Sequence, residues 1–460
     1  MDKRLDDYLE GQLKKEVTLP DVAEDMVALI PDDVIKNIKS TYLDINCKTG
    51  VFLIKIRERI MKECEELIEM YPNPKERRKY IDNNMLYGIS WIDAYAERSR
   101  VNIYGKVTIK GNIHYVPEVG NENKKKPAYK TLIKAQDNGK LLNDTIKEIC
   151  KMQFKKDMSF DVVIGNPPYN DGMDIDFVFK AFQLATKCTV MITPAKCFTS
   201  EAEQKILSQH SYGDFRKELA PHISNICFYP ECSEVFDIQQ VDGICWFLLD
   251  KNIHTNCVVV NKCENQKLFN NSRVRSITAG QVLNNLGNEI VEYLGDYNKF
   301  RFNTCNTDTF AVWTNNKIHG ARGKENIYQA KGVISYASGQ MVIVSDSMLV
   351  DMRDEVEKAF IPNYSKMSFS SNNKEECESF ISWLNCKFTR FFVAINISKL
   401  TGILTDYYFR FVPAPPSGRF DHIYSDEELY EYFGLNRPEA QTKDGVRYRD
   451  IIEAVVKERK

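Results

Sequence analysis

The stretch FDVVIGNPPYN, residues 160–170, runs an apolar segment directly into an Asn-Pro-Pro-Tyr quartet. Residues 160–164 are almost all apolar, which is typical of a strand covered on both faces of a parallel sheet, and Gly165 ends the run. The two prolines fix two φ angles and remove two backbone donors, so the turn after the strand is rigid. We therefore expect the quartet at the carboxyl end of a buried strand, where open α/β sheets bind their ligands.

Strand and helix patterns alternate through roughly the first 250 residues. Candidate strands lie before the polar turn at 46–50, at 85–89 and at 189–196, and candidate helices begin near 51, 92 and 175. The alternation predicts an α/β domain with a doubly wound, mostly parallel sheet. Short β-rich segments follow, with helical patterns again at 375–397. We predict an N-terminal helical segment (1–30), a catalytic domain (31–254), and a mixed, β-rich region with C-terminal helices (255–460).

Composition limits the class of protein. The chain has 460 residues, 13 cysteines and a formal net charge of −2, so contacts with nucleic acid require a local basic face rather than overall charge. No Cys-x-x-Cys pair occurs, which argues against a zinc ribbon or a disulfide framework. Residues 1–16 are charged throughout, and no apolar run reaches the roughly 20 residues that span a bilayer. We expect a cytoplasmic protein without a membrane segment.

The quartet suits chemistry on a planar nitrogen. An exocyclic or amide NH₂ is a poor nucleophile because its lone pair is delocalised, and two hydrogen-bond acceptors on its protons localise that pair. Asn166 offers a side-chain carbonyl and Pro167 a backbone carbonyl, held in fixed directions by the two prolines. Tyr169 offers an aromatic face to a base that has left its stack. The alternative interpretation is a Pro-Pro turn that only closes a strand.

The order of short motifs resembles that of the gamma-class DNA N6-adenine methyltransferases. The segment DVVIGNPPY (161–169) resembles their motif IV, YLDINCKTGVFL (42–53) motif I, LYGISWIDAYAERSRVNIYG (86–105) motif II, and IPDDVIKNI (30–38) motif X. Segments 174–185, 189–198, 225–236, 241–250, 409–416 and 424–435 resemble the methylase of type II, type IIG-like restriction-modification systems. The resemblance covers about residues 30–250 and 405–435, and motif IV is its most specific part.

This resemblance implies a Rossmann-like domain that uses S-adenosyl-L-methionine, followed by a target-recognition domain. It implies methyl transfer to a flipped adenine of double-stranded DNA at Asn166, Pro167, Pro168 and Tyr169, with a separate restriction endonuclease as a candidate partner. Either Phe228 or Tyr229 would contact the flipped base opposite Tyr169. The residues implied in cofactor binding are Pro31, Asp44, Asn46, Cys47, Thr49, Gly50, Ser90 and Asp137.

The chain departs from the family pattern at several positions. Ile45 and Lys48 stand where the family usually has Pro and Gly, and Ser90 stands where a carboxylate usually binds the ribose, with Asp93 three residues later. Some relatives carry a cysteine-bound zinc between motifs II and IV, but Cys150 is the only cysteine of this chain there, so no metal is expected.

Three alternatives remain at this point. The same quartet serves methyltransferases that act on RNA or on a protein glutamine amide, although those proteins are usually short. A catalytically inert DNA-binding or specificity relative would also fit the departures at Lys48 and Ser90. A nuclease site is not predicted, because the acidic residues near 117–124 are too closely spaced and a solvated charge run explains them.

Overall fold

A computed structural model gives the fold of the chain. It describes residues 17–109, 111–118, 127, 145–154, 159–169, 172–199, 210–229, 235–236, 243–262, 270–277, 284–301, 373–395 and 409–455, together with the backbone of 310–313, 348–351 and 368–371.

The helices of the catalytic half alternate with its strands. They are α1 (Pro20–Ala28), α2 (Asp32–Ile35), α3 (Val51–Glu63), α4 (Glu65–Met70), α5 (Pro74–Asn84), α6 (Asp93–Tyr104) and α7 (Met173–Leu184). The strands are β1 (Tyr42–Asp44), β2 (Leu86–Ser90), β3 (Ile113–Tyr115), β4 (Phe160–Gly165), β5 (Ala185–Pro194), β6 (Ile223–Tyr229), β7 (Ile244–Asp250), β8 (Cys257–Asn261) and β9 (Asn271–Arg275). Short helical turns at 196–199 and 212–222 follow β5.

These nine strands form one sheet in the order β3-β2-β1-β4-β5-β7-β6-β8-β9. The five strands from β3 to β5 are parallel, and β7 inserts antiparallel between β5 and β6. Helices between successive parallel strands cover both faces of this part of the sheet. The prediction of an α/β, Rossmann-like fold is therefore confirmed.

The central strands are buried on both faces. On β4, Val163 packs into one apolar cluster and Val162 and Ile164 into the cluster across the sheet, and all three are fully buried. On β1, Leu43 and Tyr42 divide in the same way. The nearly continuous apolar run at 160–164 reflects this double burial, as the sequence predicted.

The sheet continues beyond residue 254. Strand β8 pairs with β6 in parallel and β9 pairs with β8 antiparallel, so the sheet extends to Arg275. A second, three-stranded antiparallel sheet is formed by β10 (Phe310–Trp313), β11 (Met348–Asp351) and β12 (Ser368–Ser371). The helices of this half are α8 (Asn285–Leu294), α9 (Lys374–Asn385), α10 (Lys387–Ala394), α11 (Asp426–Tyr432) and α12 (Tyr448–Val455). None of the helices in the described ranges is long and apolar enough to cross a membrane.

Candidate active site

The carboxyl ends of β1 and β4 meet at the point where the sheet reverses its strand order. The chain proceeds outward from β1 through β2 to β3 in one direction, and from β4 to β5 in the other. In open α/β sheets such a switch point forms the crevice that binds ligands. Asp44 is the last residue of β1, and Asn166 directly follows β4, so the two predicted site segments lie side by side.

The loops after β1 and β4 are joined by hydrogen bonds. Asn46 Nδ2 donates to the backbone carbonyl of Asn166 at 2.6 Å, and the Ile45 N–H donates to the backbone carbonyl of Ile164 at 3.2 Å. Gly165 permits this approach, because a Cβ there would lie 3.2 Å from Ile45 Cγ2. The backbone of the Asn-Pro-Pro-Tyr turn is therefore fixed against the predicted cofactor loop.

The amide of Asn166 is held by a residue that sequence reasoning missed. Its Nδ2 donates to Thr18 Oγ1 at 3.0 Å, and each residue is only 3% exposed. Thr18 precedes α1, and no periodicity or motif distinguishes it in the sequence. Pro31, the residue implied by the proposed motif X, is exposed at the start of α2.

The rest of the quartet leads from the core to the surface. Pro167 is buried, whereas Pro168 and Tyr169 are half-buried. The Tyr169 hydroxyl donates to the Ile192 carbonyl of β5 at 3.3 Å, and its ring meets that of Phe236 edge-on with centroids 6.3 Å apart. Two contacts from different segments thus orient the Tyr169 ring.

Asp44 is a buried carboxylate at the end of β1. It is 2% exposed, and its Oδ1 accepts the Asn46 N–H at 3.1 Å. Burial raises the pKa of Asp44 to about 7, against the opposing effects of the Asn46 N–H and the charge of Lys48. A cationic ligand group beside Asp44 would favour its ionised form.

The turn after Asp44 leads into a helix N-terminus. The Cys47 N–H donates to the Ile89 carbonyl at 2.8 Å, and burial raises the pKa of the Cys47 thiol well above its usual range. The Thr49 carbonyl accepts from Asn102 Nδ2 at 2.9 Å, and Gly50 adopts a left-handed φ of 78° immediately before α3. The first-turn N–H groups of a helix have no intrahelical acceptor and favour an anion such as a carboxylate.

The end of β2 carries Ser90, one of the residues that the resemblance implies in cofactor binding. Ser90 is fully buried, and its hydroxyl donates to the Ile92 carbonyl at 3.2 Å. Asp93 is exposed at the start of α6. Trp91 Nε1 donates to the Ile45 carbonyl at 3.1 Å and so ties this strand end to the Asp44 loop. Asp137 lies outside the described residues.

The two aromatic candidates on β6 point to opposite faces of the sheet. Tyr229 belongs to the same apolar cluster as Tyr169 and Phe236, and its ring stacks on Trp246 with centroids 6.0 Å apart. Phe228 packs into the other cluster. Of the two, Tyr229 lies on the face that Tyr169 occupies.

Among the residues that the structure describes, no group of three or more His, Cys, Asp or Glu side chains could hold a metal ion. The prediction of a metal-free site stays a prediction.

This chain is similar to known adenine-specific and restriction-modification methylases. A family model described as Eco57I restriction-modification methylase matches residues 84–220, which include the quartet. An uncharacterized adenine-specific methylase of Mycoplasma pneumoniae is 26% identical over 292 residues. That match covers 51% of this chain and 66% of the relative, so the chain spans just under two thirds of the relative's length. The resemblance to restriction-modification adenine methylases is confirmed.

Solved structures of low identity are also similar to this chain. The methyltransferase subunit of a type I restriction-modification system from Streptococcus thermophilus has 13% identity and a TM-score of 0.34, covering 59% of this chain and 53% of that one. The M protein of the type I restriction enzyme EcoKI has 12% identity and a TM-score of 0.35, covering 54% and 48%.

Proposed function

We propose that this chain is a site-specific DNA adenine-N6 methyltransferase that uses S-adenosyl-L-methionine, acting as the modification component of a restriction-modification system. The observation that carries the proposal is the placement of Asn166 at the switch point, with its side-chain amide held by Thr18 and its backbone carbonyl by Asn46, beside the loop of the buried carboxylate of Asp44. The family model and the adenine-specific relative support the same reaction.

The residues of the Asp44 turn fit the amino-acid half of the cofactor. The Asp44 carboxylate suits an ammonium group, and the N-terminus of α3 suits a carboxylate. Because Ser90 is fully buried whereas Asp93 is exposed, we assign the ribose contact to Asp93. Bound there, the cofactor supplies an electrophilic methyl group on its sulfonium centre.

The quartet acts on the adenine amine by accepting its protons. Asn166 Oδ1 and the Pro167 carbonyl each receive an N–H hydrogen bond, which localises the nitrogen lone pair for in-line attack. Tyr169 stacks on the flipped base, and Tyr229 faces the same side of the sheet. No covalent intermediate or strong base among these residues is required, because the product amine loses its extra proton readily.

The region after the catalytic sheet would read the DNA sequence. We assign target recognition to residues within 255–460, with the boundary after β9 because β8 and β9 belong to the catalytic sheet. A separate endonuclease would cut unmodified sites. The enzyme would act in the cytoplasm, where the genome is accessible to it.

The proposal is tested by following label from methyl-tritiated cofactor into duplex DNA, RNA and protein offered together. We expect label in DNA, and digestion of that DNA should release the label as N6-methyladenine nucleosides. No label is expected in DNA with Asn166→Ala. Label in RNA or protein instead of DNA would show that DNA is not the substrate and would contradict the proposal. Equilibrium dialysis of the cofactor is the second arm, since an inert relative would show no saturable binding.

A further inference from the structure

The hydrogen bond between Thr18 and Asn166 joins two segments that are 148 residues apart in sequence. The Asn166 Nδ2 to Thr18 Oγ1 distance is 3.0 Å, and both side chains are nearly excluded from solvent. A neutral hydrogen bond in such a place is costly to lose, because the donor left behind has no water to replace its partner.

The orientation of the Asn166 amide decides what it presents to an amine. Its oxygen and nitrogen ends are nearly equal in size but opposite in hydrogen-bonding character. With Oδ1 toward the substrate, the amide accepts a proton of the amine, whereas a rotated amide would place donor against donor. In the structure Nδ2 donates to Thr18 Oγ1, so the Thr18 contact engages the nitrogen end of the amide, and Oδ1 is the end directed away from Thr18.

Thr18 is itself held in place by α1. This helix buries Val22, Ala23, Met26 and Val27, and it packs against α3 and β5. On its outer side Glu24 pairs with Lys55 at 2.9 Å, and Asp25 pairs with Lys262. Thr18 therefore lies directly before a packed helix, which restricts the position of its hydroxyl, as preorganisation of a site requires.

We infer that Thr18 is a positioning residue that fixes the amide of Asn166 with its oxygen toward the target amine. This inference rests on the proposed function, and it adds a segment upstream of α1 to the catalytic machinery. Thr18 acts through Asn166 and contacts neither the substrate nor the methyl group.

The test compares Thr18→Val, which keeps the shape without the hydroxyl, with Thr18→Ser, which keeps the hydroxyl. We expect Thr18→Val to lower kcat about tenfold, the size of one net hydrogen bond, with the Kd for the cofactor changed less than twofold. Thr18→Ser should restore most of kcat. A loss of cofactor affinity in parallel with kcat, or an unchanged kcat in Thr18→Val, would overturn the inference.

A double-mutant cycle with Asn166→Asp sharpens the test. A carboxylate presents an oxygen in either orientation, so Thr18→Val should cost little further activity when residue 166 carries a carboxylate. An equal tenfold loss in both backgrounds would show that Thr18 acts on general packing instead.

A third measurement does not depend on turnover. With selective ¹⁵N-asparagine labelling, the Asn166 side-chain NH₂ signal, assigned by its absence in Asn166→Asp, should exchange with solvent faster in Thr18→Val than in wild type. Equal exchange in the two proteins would refute the hydrogen bond. A protected signal in a wild-type protein that transfers no methyl group would instead refute the proposed function alone.

Discussion

Asp174 provides a quantitative test of the packing beside the candidate site. It lies in the first turn of α7, is 1% exposed, and its Oδ2 has no hydrogen-bond partner in the part of the chain that the structure describes. Burial raises its pKa from 3.8 to about 7, although nearby backbone N–H groups and the charge of Lys196 oppose that shift. The native protein therefore holds a proton that the unfolded chain releases at lower pH.

The sign and size of the effect on stability follow from this difference. Between pH 3.8 and 7 the unfolded chain gives up the proton more readily, so the free energy of unfolding falls as pH rises. A separation of this size corresponds to about 4 kcal/mol in total, of which about 3 kcal/mol falls between pH 5 and 8. Asp174→Asn removes only this pH-dependent part, because the amide does not titrate.

The assay is urea unfolding of wild type and Asp174→Asn from pH 5 to pH 8, followed by tryptophan fluorescence. The variant should gain stability relative to wild type by about 3 kcal/mol across this range, with little further change above pH 8. Asp33→Asn, the same substitution at an exposed position on α2, is the matched control. A gap between Asp174→Asn and wild type that does not change with pH would refute the burial argument.

Three further predictions concern the frame of the site. Gly50→Ala and Gly105→Ala each force a side chain into a left-handed backbone conformation, at φ 78° and 79°, which costs about 1–2 kcal/mol. Of these two positions, only Gly50 would also bring the added Cβ against packed atoms, at 3.1 Å. The thermal midpoint of Gly50→Ala should therefore fall further than that of Gly105→Ala, and equal midpoints would contradict this. Asp44→Asn should stabilise the ligand-free protein above pH 7 in thermal scans, because burial raises the pKa of Asp44, while titration calorimetry should show at least tenfold weaker cofactor binding. Unchanged cofactor affinity would remove Asp44 from the cofactor site. Asp82→Asn removes the carboxylate that pairs with the buried Arg57 guanidinium, whose Nη1 lies 2.9 Å from Asp82 Oδ1. The substitution should lower the free energy of urea unfolding by about 3–5 kcal/mol. A loss below about 1 kcal/mol would show that water reaches this pair.

Local patterns were sufficient to predict the parts of the fold that local physics determines. The apolar run and the two prolines located the end of β4, and the helix expected from residue 92 is α6, which begins at Asp93. Ser425 directly precedes α11, with Glu428 three residues later, and its side chain accepts the Glu428 N–H. In each case the signal and the structure involve residues only a few positions apart.

Contacts between distant segments could not be predicted from local patterns. The change of pattern after Asp250 indicated a boundary near 254, yet β8 pairs with β6, and nothing local to β8 encodes that partner. Helix α7 ends at Leu184 because Ala185 already pairs with Phe160 in the sheet, a contact that local patterns do not show. The division of the chain into three regions therefore stays a prediction.

Among the site residues too, those that follow from local patterns were predicted and those that depend on distant contacts were not. The sequence located the Asn-Pro-Pro-Tyr turn and the Asp44 turn, because both follow strands at one edge of a parallel sheet. It could not reveal Thr18, which is linked to the site by a hydrogen bond across 148 positions. Nor could it choose between Phe228 and Tyr229, since neighbouring residues of a strand face opposite sides and the choice needs the sheet's orientation.

Methylation mapping in living cells tests the central claim most directly. Genomic DNA from a host that lacks its own adenine methylation would be sequenced for N6-methyladenine after expression of wild type and of Asn166→Ala. The account predicts that wild type modifies adenine at one recurring short sequence and that Asn166→Ala, at equal abundance, leaves that sequence unmodified. Undiminished modification by Asn166→Ala, or no modified adenine with abundant folded wild type, would contradict it.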